Sequence, residues 1–233
     1  MSLRVIIVGY GRMGQEIEQL CQTYDCTVVS TLDIHNNLHG EGLEPQTIPK
    51  ADVAIDFSTP DATIKNLPKL AAAGINVVIG TTGWNEHEAK MKSVVADNNI
   101  GVVVASNFSL GVNIFQAITE RAAELFKNFD EYGSWIHEAH HENKIDAPSG
   151  TALSLKNTIK KTGYNRKIDI SSTRVGALPG IHTVGFDGPF ETVTLTHSAR
   201  DRATFARGAL EAARWVKGRN GWFTMRDVLE LEP

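Results

Sequence analysis

The apolar positions change period part-way along the chain. Leu3-Arg4-Val5-Ile6-Ile7-Val8 is a short, nearly continuous apolar run, which suits a strand buried on both faces. Met13, Ile17 and Leu20 then recur at helical spacing as far as Tyr24, and residues 27–32 read as a second strand. The alternation repeats, with further strands expected over residues 53–57, 76–79 and 101–104. A helix opens at Ser58-Thr59-Pro60-Asp61, a hydroxyl cap followed by proline in the first turn, and runs to about Ala73, where Gly74 stops it. The next helix covers residues 86–97. Strands alternating with helices predict an α/β fold, a Rossmann-like doubly wound parallel sheet.

After residue 110 the pattern changes. Val112, Phe115, Ile118, Ala122, Leu125 and Phe126 form the stripe of one amphipathic helix over residues 110–128. Strands then dominate, at 131–142, 168–174, 182–186 and 191–198. Turns such as Leu178-Pro179-Gly180 and Asp187-Gly188-Pro189 separate them, and a helix over 151–161 lies between the first two. This is a C-terminal α+β unit with a mostly single-faced sheet. An open sheet face is a surface that another subunit can cover. Ala206, Ala209, Leu210, Ala213 and Val216 mark a final helix over 203–217, and residues 222–231 form a closing segment. No internal repeat or low-complexity stretch is visible.

Composition narrows the function class. The chain has 233 residues, 42% of them hydrophobic, enough for a real core and against disorder. The formal net charge is −4, with no basic arm, so neither nucleic acid nor an anionic membrane is expected as a partner. No apolar run approaches the roughly 20 residues that cross a bilayer. The first residues enter a strand without a charged leader or a cleavage site, so a cytoplasmic protein is expected. The two cysteines, Cys21 and Cys26, are expected as reduced thiols rather than a disulfide.

The first strand enters Gly9-Tyr10-Gly11-Arg12-Met13-Gly14, a G-x-G-x-x-G. Glycines there let the backbone turn tightly and approach a pyrophosphate, which the free N–H groups of the following helix face. The second strand ends on Asp33, 19 residues after Gly14, where an acid can accept from a ribose hydroxyl. Alone the glycine motif is weak; strand, glycines, helix, strand and acid in this order point to a dinucleotide. Asp33, Asp56-Phe57-Ser58, Gly80-Thr81-Thr82 and Ala105-Ser106-Asn107-Phe108 all fall at the C-terminal edge of the expected sheet, where ligands of such sheets bind. Asp33 repels a ribose 2′-phosphate, and Ile34 and His35 supply no arginine or lysine. NADH use is therefore expected to be at least equal to NADPH use.

The densest chemistry lies in residues 138–152. His140, His141, Lys144 and the turn Ser149-Gly150-Thr151 combine proton donors, a cation and a helix start. Together they read as a site for a small anion, with helix N–H groups offered to a carboxylate. His137-Glu138-Ala139-His140-His141 formally matches the zinc motif H-E-x-x-H, which needs both end histidines on one helix face. Its flank, Tyr132 to Ile136, prefers strand. In a strand His137 and His141 lie about 13 Å apart, too far to share an ion, so no metal is expected. Neighbours in a strand point to opposite faces. His140 and His141 can thus serve one pocket only if the strand ends there, as the loop 143–148 allows. Two functions stay open on these features alone: a nucleotide-sensing protein without turnover and a nicotinamide oxidoreductase acting on an amino or keto acid.

Glu138-x-His140-x-x-x-Lys144-x-Asp146-x-Pro148-Ser149-Gly150-Thr151-Ala152 resembles the signature of the 4-hydroxy-tetrahydrodipicolinate (dihydrodipicolinate) reductase family. Gly9 to Gly14, Gly80-Thr81-Thr82-Gly83 and Asn107-Phe108-Ser109-x-Gly111 are similar to its cofactor segments. Arg174-x-Gly176, Gly180-x-His182, Glu191, His197, Arg202 and Phe205 resemble its later landmarks. Trp135, Pro179 and Tyr10 depart from the pattern. The resemblance implies NAD(P)H-dependent reduction of 4-hydroxy-tetrahydrodipicolinate in the diaminopimelate route to lysine. It implies a dinucleotide domain of residues 1–109 plus 203–233, and a substrate and homotetramer domain of 110–202. His140 and Lys144 match the family's proton-donor positions. His141, Lys144, Ser149, Gly150 and Thr151 match positions that hold a dicarboxylate substrate. Gly9, Tyr10, Gly11, Arg12, Met13, Asp33, Gly80, Thr81, Thr82, Ala105, Ser106, Asn107 and Phe108 are the implied cofactor contacts.

Overall fold

A computed structural model describes residues 2–231. The first apolar run is strand β1, Leu3–Val8, followed by α1, Arg12–Cys21, and β2, Cys26–Leu32. Then come β3, Val53–Asp56; α2, Pro60–Ala72; β4, Asn76–Ile79; α3, Glu88–Asp97; β5, Gly101–Val104; and α4, Leu110–Phe126. The second half contains β6, Gly133–His140; α5, Gly150–Lys161; β7, Ile168–Arg174; β8, Ile181–Asp187; and β9, Thr192–Ser198. The chain closes with α6, Ala203–Val216; β10, Gly221–Phe223; and α7, Met225–Val228. Two compact units result: one from the residues up to Leu110 together with those from Ala203 onward, the other Gly111–Arg202.

The first unit is a six-stranded parallel sheet in the order β10-β5-β4-β3-β1-β2. It is doubly wound. Val5 and Ile7 join Ile17 of α1 and Ala206, Ala209, Leu210 and Ala213 of α6 on one face. Ile6 and Val8 join Leu67 and Leu70 of α2 and Met91 and Val95 of α3 on the other. The apolar run is continuous because both of its faces are covered. The sheet's order reverses between β1 and β3, the position at which such sheets bind ligands. On α6, a Cβ at Gly208 would lie 1.7 Å from the Phe108 carbonyl oxygen, so only glycine lets that helix reach the strand ends.

The second unit has a mixed sheet, β7-β6-β8-β9, with only β6 and β7 parallel. Ile136, Ile168, Val184 and Phe186 pack on one of its faces against Phe115 and Ala123 of α4 and Ala152, Leu155 and Ile159 of α5.

Several boundaries differ from the sequence expectation. Helix α1 stops at Cys21 rather than Tyr24, because Asp25 takes a left-handed conformation (φ 47°) and turns the chain into β2. Residues 85–87 form a 3₁₀ turn, so α3 starts at Glu88. The helix expected to Asn128 ends at Phe126, and β6 is shorter than 131–142. Within the closing segment, β10 joins the first sheet beside β5, with Trp222 paired to Val102. Cys21 and Cys26 are free and buried. Among the described residues no helix is long and apolar enough to cross a membrane.

Candidate active site

The C-terminal end of β1 opens into a cleft of 590 Å³ at the switch point. Gly9, Tyr10, Gly11, Asp33, His35, Ser58 and, from α2, Lys65 are among its lining residues. Gly9 has φ +89°, and a Cβ there would press to 2.4 Å on the Phe57 carbonyl oxygen. Gly11 is the N-cap of α1, no side chain caps that start, and a Cβ at Gly11 would meet nothing within 4 Å. Room and free N–H groups thus coincide at a helix N-terminus, which fits a pyrophosphate. Asp33 accepts from the His35 backbone N–H at 2.7 Å through one carboxylate oxygen. Tyr10 donates its hydroxyl to Glu18.

The other expected cofactor residues stand at the ends of β4 and β5 and do not line this cleft. Nor do Arg12 and Met13. Thr81 is buried, its hydroxyl bonded to Asp56 and its carbonyl to Trp84 Nε1. Phe108 is a core side chain, 1% exposed, packed edge-on against Phe57. Both side chains are therefore engaged inside the first unit. Asn107 accepts from the Ser109 N–H at 2.8 Å.

In the second unit the sheet register builds a polar cluster at one end of the apolar face. Side chains two apart on a strand share a face, so Glu138 and His140 follow Ser134 and Ile136 inward. On β7, Ser172 and Arg174 stand beside Glu138 and His140; on β8, His182 pairs with Glu138. Glu138 is fully buried. Arg174 donates Nη2 to its Oε1 at 2.8 Å and Nη1 to its Oε2 at 3.0 Å. His140 Nδ1 bonds to Oε2. Burial pushes the Glu138 carboxyl up, but bonds from Arg174, then Ser172 and His140, outweigh it and hold it at about 2. Burial lowers His140, and Glu138 partly counters this. Burial, then the neighbouring His140, takes His182 down to about 4.

Beyond His140 the strand ends. His141 is half-buried outside it. Lys144 Nζ lies 2.7 Å from Asp146 Oδ1, and Lys144 first, through its hydrogen bond, holds the Asp146 carboxyl below its usual range. Ser149 is the N-cap of α5: its Oγ accepts from the Ala152 N–H at 3.2 Å and lies 3.0 Å from His182 Nε2. Gly150 and Thr151 open α5. His137 sits in β6 and bonds to Ser171 of β7, so the H-E-x-x-H residues lie along a strand and its end rather than on one helix face. Glu138, His140 and His182 do offer ligand atoms within 4.8 Å of one another. However, both Glu138 oxygens face a guanidinium, whose charge opposes a cation there.

The chain matches the family described as Dihydrodipicolinate reductase, N-terminus, over residues 3–108 and Dihydrodipicolinate reductase, C-terminus, over residues 111–229. It belongs to the dihydrodipicolinate reductase family. Among its relatives, the 4-hydroxy-tetrahydrodipicolinate reductase of Christiangramia forsetii is 37% identical over 97% of this chain and 98% of that protein. The reductase of the same name from Thiobacillus denitrificans is 37% identical with full coverage of both chains. A dipicolinate-bound dihydrodipicolinate reductase from Paenisporosarcina sp. TG-14 superposes with a TM-score of 0.80 at 26% identity, covering 96% of this chain and 98% of that one. The dihydrodipicolinate reductase family thus accounts for both units.

Sequence reasoning marked His140 and Lys144 but gave no role to Glu138, Arg174 or His182. The readable signal was the E-x-H spacing, which in a strand puts both side chains on one face. Lys65 was also missed: it reaches the cleft from α2, far in sequence from Asp33.

Proposed function

We propose that the chain catalyses NAD(P)H-dependent reduction of 4-hydroxy-tetrahydrodipicolinate to tetrahydrodipicolinate, a step of the diaminopimelate route to lysine. The observation that carries this reading is similarity to reductases of that name over at least 97% of both chains. In the overall reaction a hydride and a proton enter the ring and water leaves. When bound, a reduced nicotinamide supplies the hydride. The N–H groups at the start of α1 would hold its pyrophosphate, and Asp33 would accept from the adenosine ribose. Residues Gly80, Thr81 and Thr82 and Ala105 to Phe108 border the remainder of the dinucleotide, Thr81 and Phe108 through their backbone.

In the second unit, the N–H groups of Gly150 and Thr151 receive one substrate carboxylate at the start of α5. His141 and Lys144 add positive charge, and Ser149 shapes this helix start. His140 or Lys144 donates the proton as negative charge develops on the ring. Lys144 reaches substrate by exchanging Asp146 for a carboxylate. The face of the second sheet opposite α4 and α5 carries Trp135, Thr183 and Thr196, and we assign it to a homotetramer contact. The free thiols of Cys21 and Cys26 suit a cytoplasmic location.

The test is a coupled assay in which the dihydrodipicolinate-forming enzyme supplies substrate and loss of reduced-nicotinamide absorbance is followed. Substrate-dependent oxidation is expected. Its absence with both NADH and NADPH refutes the reading.

A further inference from the structure

Glu138 has no role in the reaction as described above, yet it is the centre of the buried cluster. Its carboxylate is held by two Arg174 nitrogens, His140 Nδ1, Ser172 and the Ser149 backbone N–H at 3.3 Å. Arg174 in turn holds the loop that carries Lys144. Its Nε donates to the Lys144 carbonyl at 3.2 Å and its Nη2 to the Asp146 carbonyl at 2.5 Å. One ion pair therefore touches the ring of one candidate proton donor, the loop of the other, and the helix start offered to a carboxylate.

A buried ion pair is weak evidence for stability, since well-packed apolar residues at such positions are often as stable or more so. It does fix geometry. An ionised carboxylate only accepts, so neutral His140 must carry its proton on Nδ1. Nε2 is left as the atom that gives up a proton. On that side stands Gly180, where a Cβ would sit 3.0 Å from Nε2; the missing side chain keeps the nitrogen approachable.

We propose that Glu138 and Arg174 are positioning residues of the reduction, setting the tautomer and orientation of His140 so that Nε2 delivers the proton while the same pair braces the Lys144 loop. The proposal rests on the reading of His140 as a proton donor. The charged and titratable groups around the ring are Glu138 on β6, Arg174 on β7, His182 on β8, His197 on β9, and Lys144 and Asp146 on the loop. Glu138 is the nearest anion and favours the imidazolium; Lys144 and Arg174 disfavour it.

The test compares Glu138→Gln, which keeps the shape and loses the charge, with wild type, His140→Gln and the double variant. In Glu138→Gln, kcat should fall roughly tenfold or more near neutral pH, with KM for the reduced nicotinamide within about twofold of wild type. The alkaline limb of kcat/KM should move to lower pH. The double variant should be slower than His140→Gln alone by much less than the factor Glu138→Gln costs in wild type, because residues acting as one unit are not additive. An unmoved pH profile, or losses that multiply, would show a merely structural pair and overturn the proposal.

Nitrogen NMR of histidine-labelled wild-type protein adds a test that needs no turnover and no variant. Neutral His140 should carry its proton on Nδ1; a proton on Nε2 overturns the proposal even if Glu138→Gln fails to fold. Should wild type show no reductase activity, the functional reading fails while the tautomer still decides the positioning role.

Discussion

The Thr81 hydroxyl donates to Oδ1 of Asp56 at 3.0 Å, joining the C-terminal ends of β4 and β3 inside the first unit. Ser58 adds its hydroxyl at 2.6 Å and its backbone N–H at 2.9 Å to the same oxygen. Asp56 is 1% exposed, and burial raises its pKa against these bonds. Asp56→Ala strips three donors of their acceptor and should cost about 1–3 kcal/mol. Thr81→Val, which leaves both Ser58 bonds, should cost about 1 kcal/mol. Urea midpoints of the two variants check the order. Both should also weaken dinucleotide binding, because the loops that border the cleft start from these strand ends.

His140→Gln and Lys144→Ala are each expected to lower kcat by roughly 10²- to 10⁴-fold, as loss of a general acid does. Dinucleotide binding, read by fluorescence titration, should be unchanged, since both residues belong to the second unit. Turnover close to wild type in both variants would remove them from the mechanism.

Cofactor choice follows from the cleft. In the role proposed for it, Asp33 would accept from a 2′-hydroxyl and repel a 2′-phosphate, so kcat/KM with NADH should equal or exceed that with NADPH. Lys65 lines the same cleft and would set a cation beside a 2′-phosphate. Asp33→Ala should raise kcat/KM for NADPH, and Lys65→Ala should lower it with little change for NADH. Steady-state kinetics with both cofactors decides the matter; a clear wild-type preference for NADPH contradicts the role given to Asp33.

Stability should fall between neutral and mildly acid pH. His182 is buried beside His140 and has its folded pKa depressed from 6.5 to about 4. Above 6.5 both folded and unfolded chains hold it neutral. Below 6.5 the unfolded chain takes up the proton first, and stability declines until the folded state also titrates near 4. The loss is roughly 3 kcal/mol. Glu138 acts lower: its folded value is about 2 against 4.5, so its stabilisation is present above 4.5 and lost as pH falls towards 2. Urea unfolding followed across the acid range should show the first decline in wild type and a flatter profile in His182→Gln.

Much of the fold was legible because period reports burial. Strands β4 and β5 are marked off by Gly74, Gly80 and Gly101, and β1 is apolar at every position but Arg4 because both its faces are covered. What stayed hidden depends on register. Arg174 meets Glu138 across 36 residues of sequence, and nothing local to either announces the pair until β6 and β7 align in parallel. β10 has three residues, too few to show a period; its place beside β5 is set by tertiary packing. His140 was visible as a chemical residue, while its inward direction followed only once the strand was seen to run to that position.

The return of the chain through α6 and β10 bears on the order of folding. β1 to β5 leave the ribosome well before Ala203, and until then the Val5 and Ile7 face lacks Ala206, Ala209, Leu210 and Ala213 to cover it. The whole of Gly111–Arg202 is synthesised during that interval. The nucleotide-binding sheet is thus the first part begun and the last completed, and a chain cut at Arg202 would carry an apolar sheet face open to aggregation.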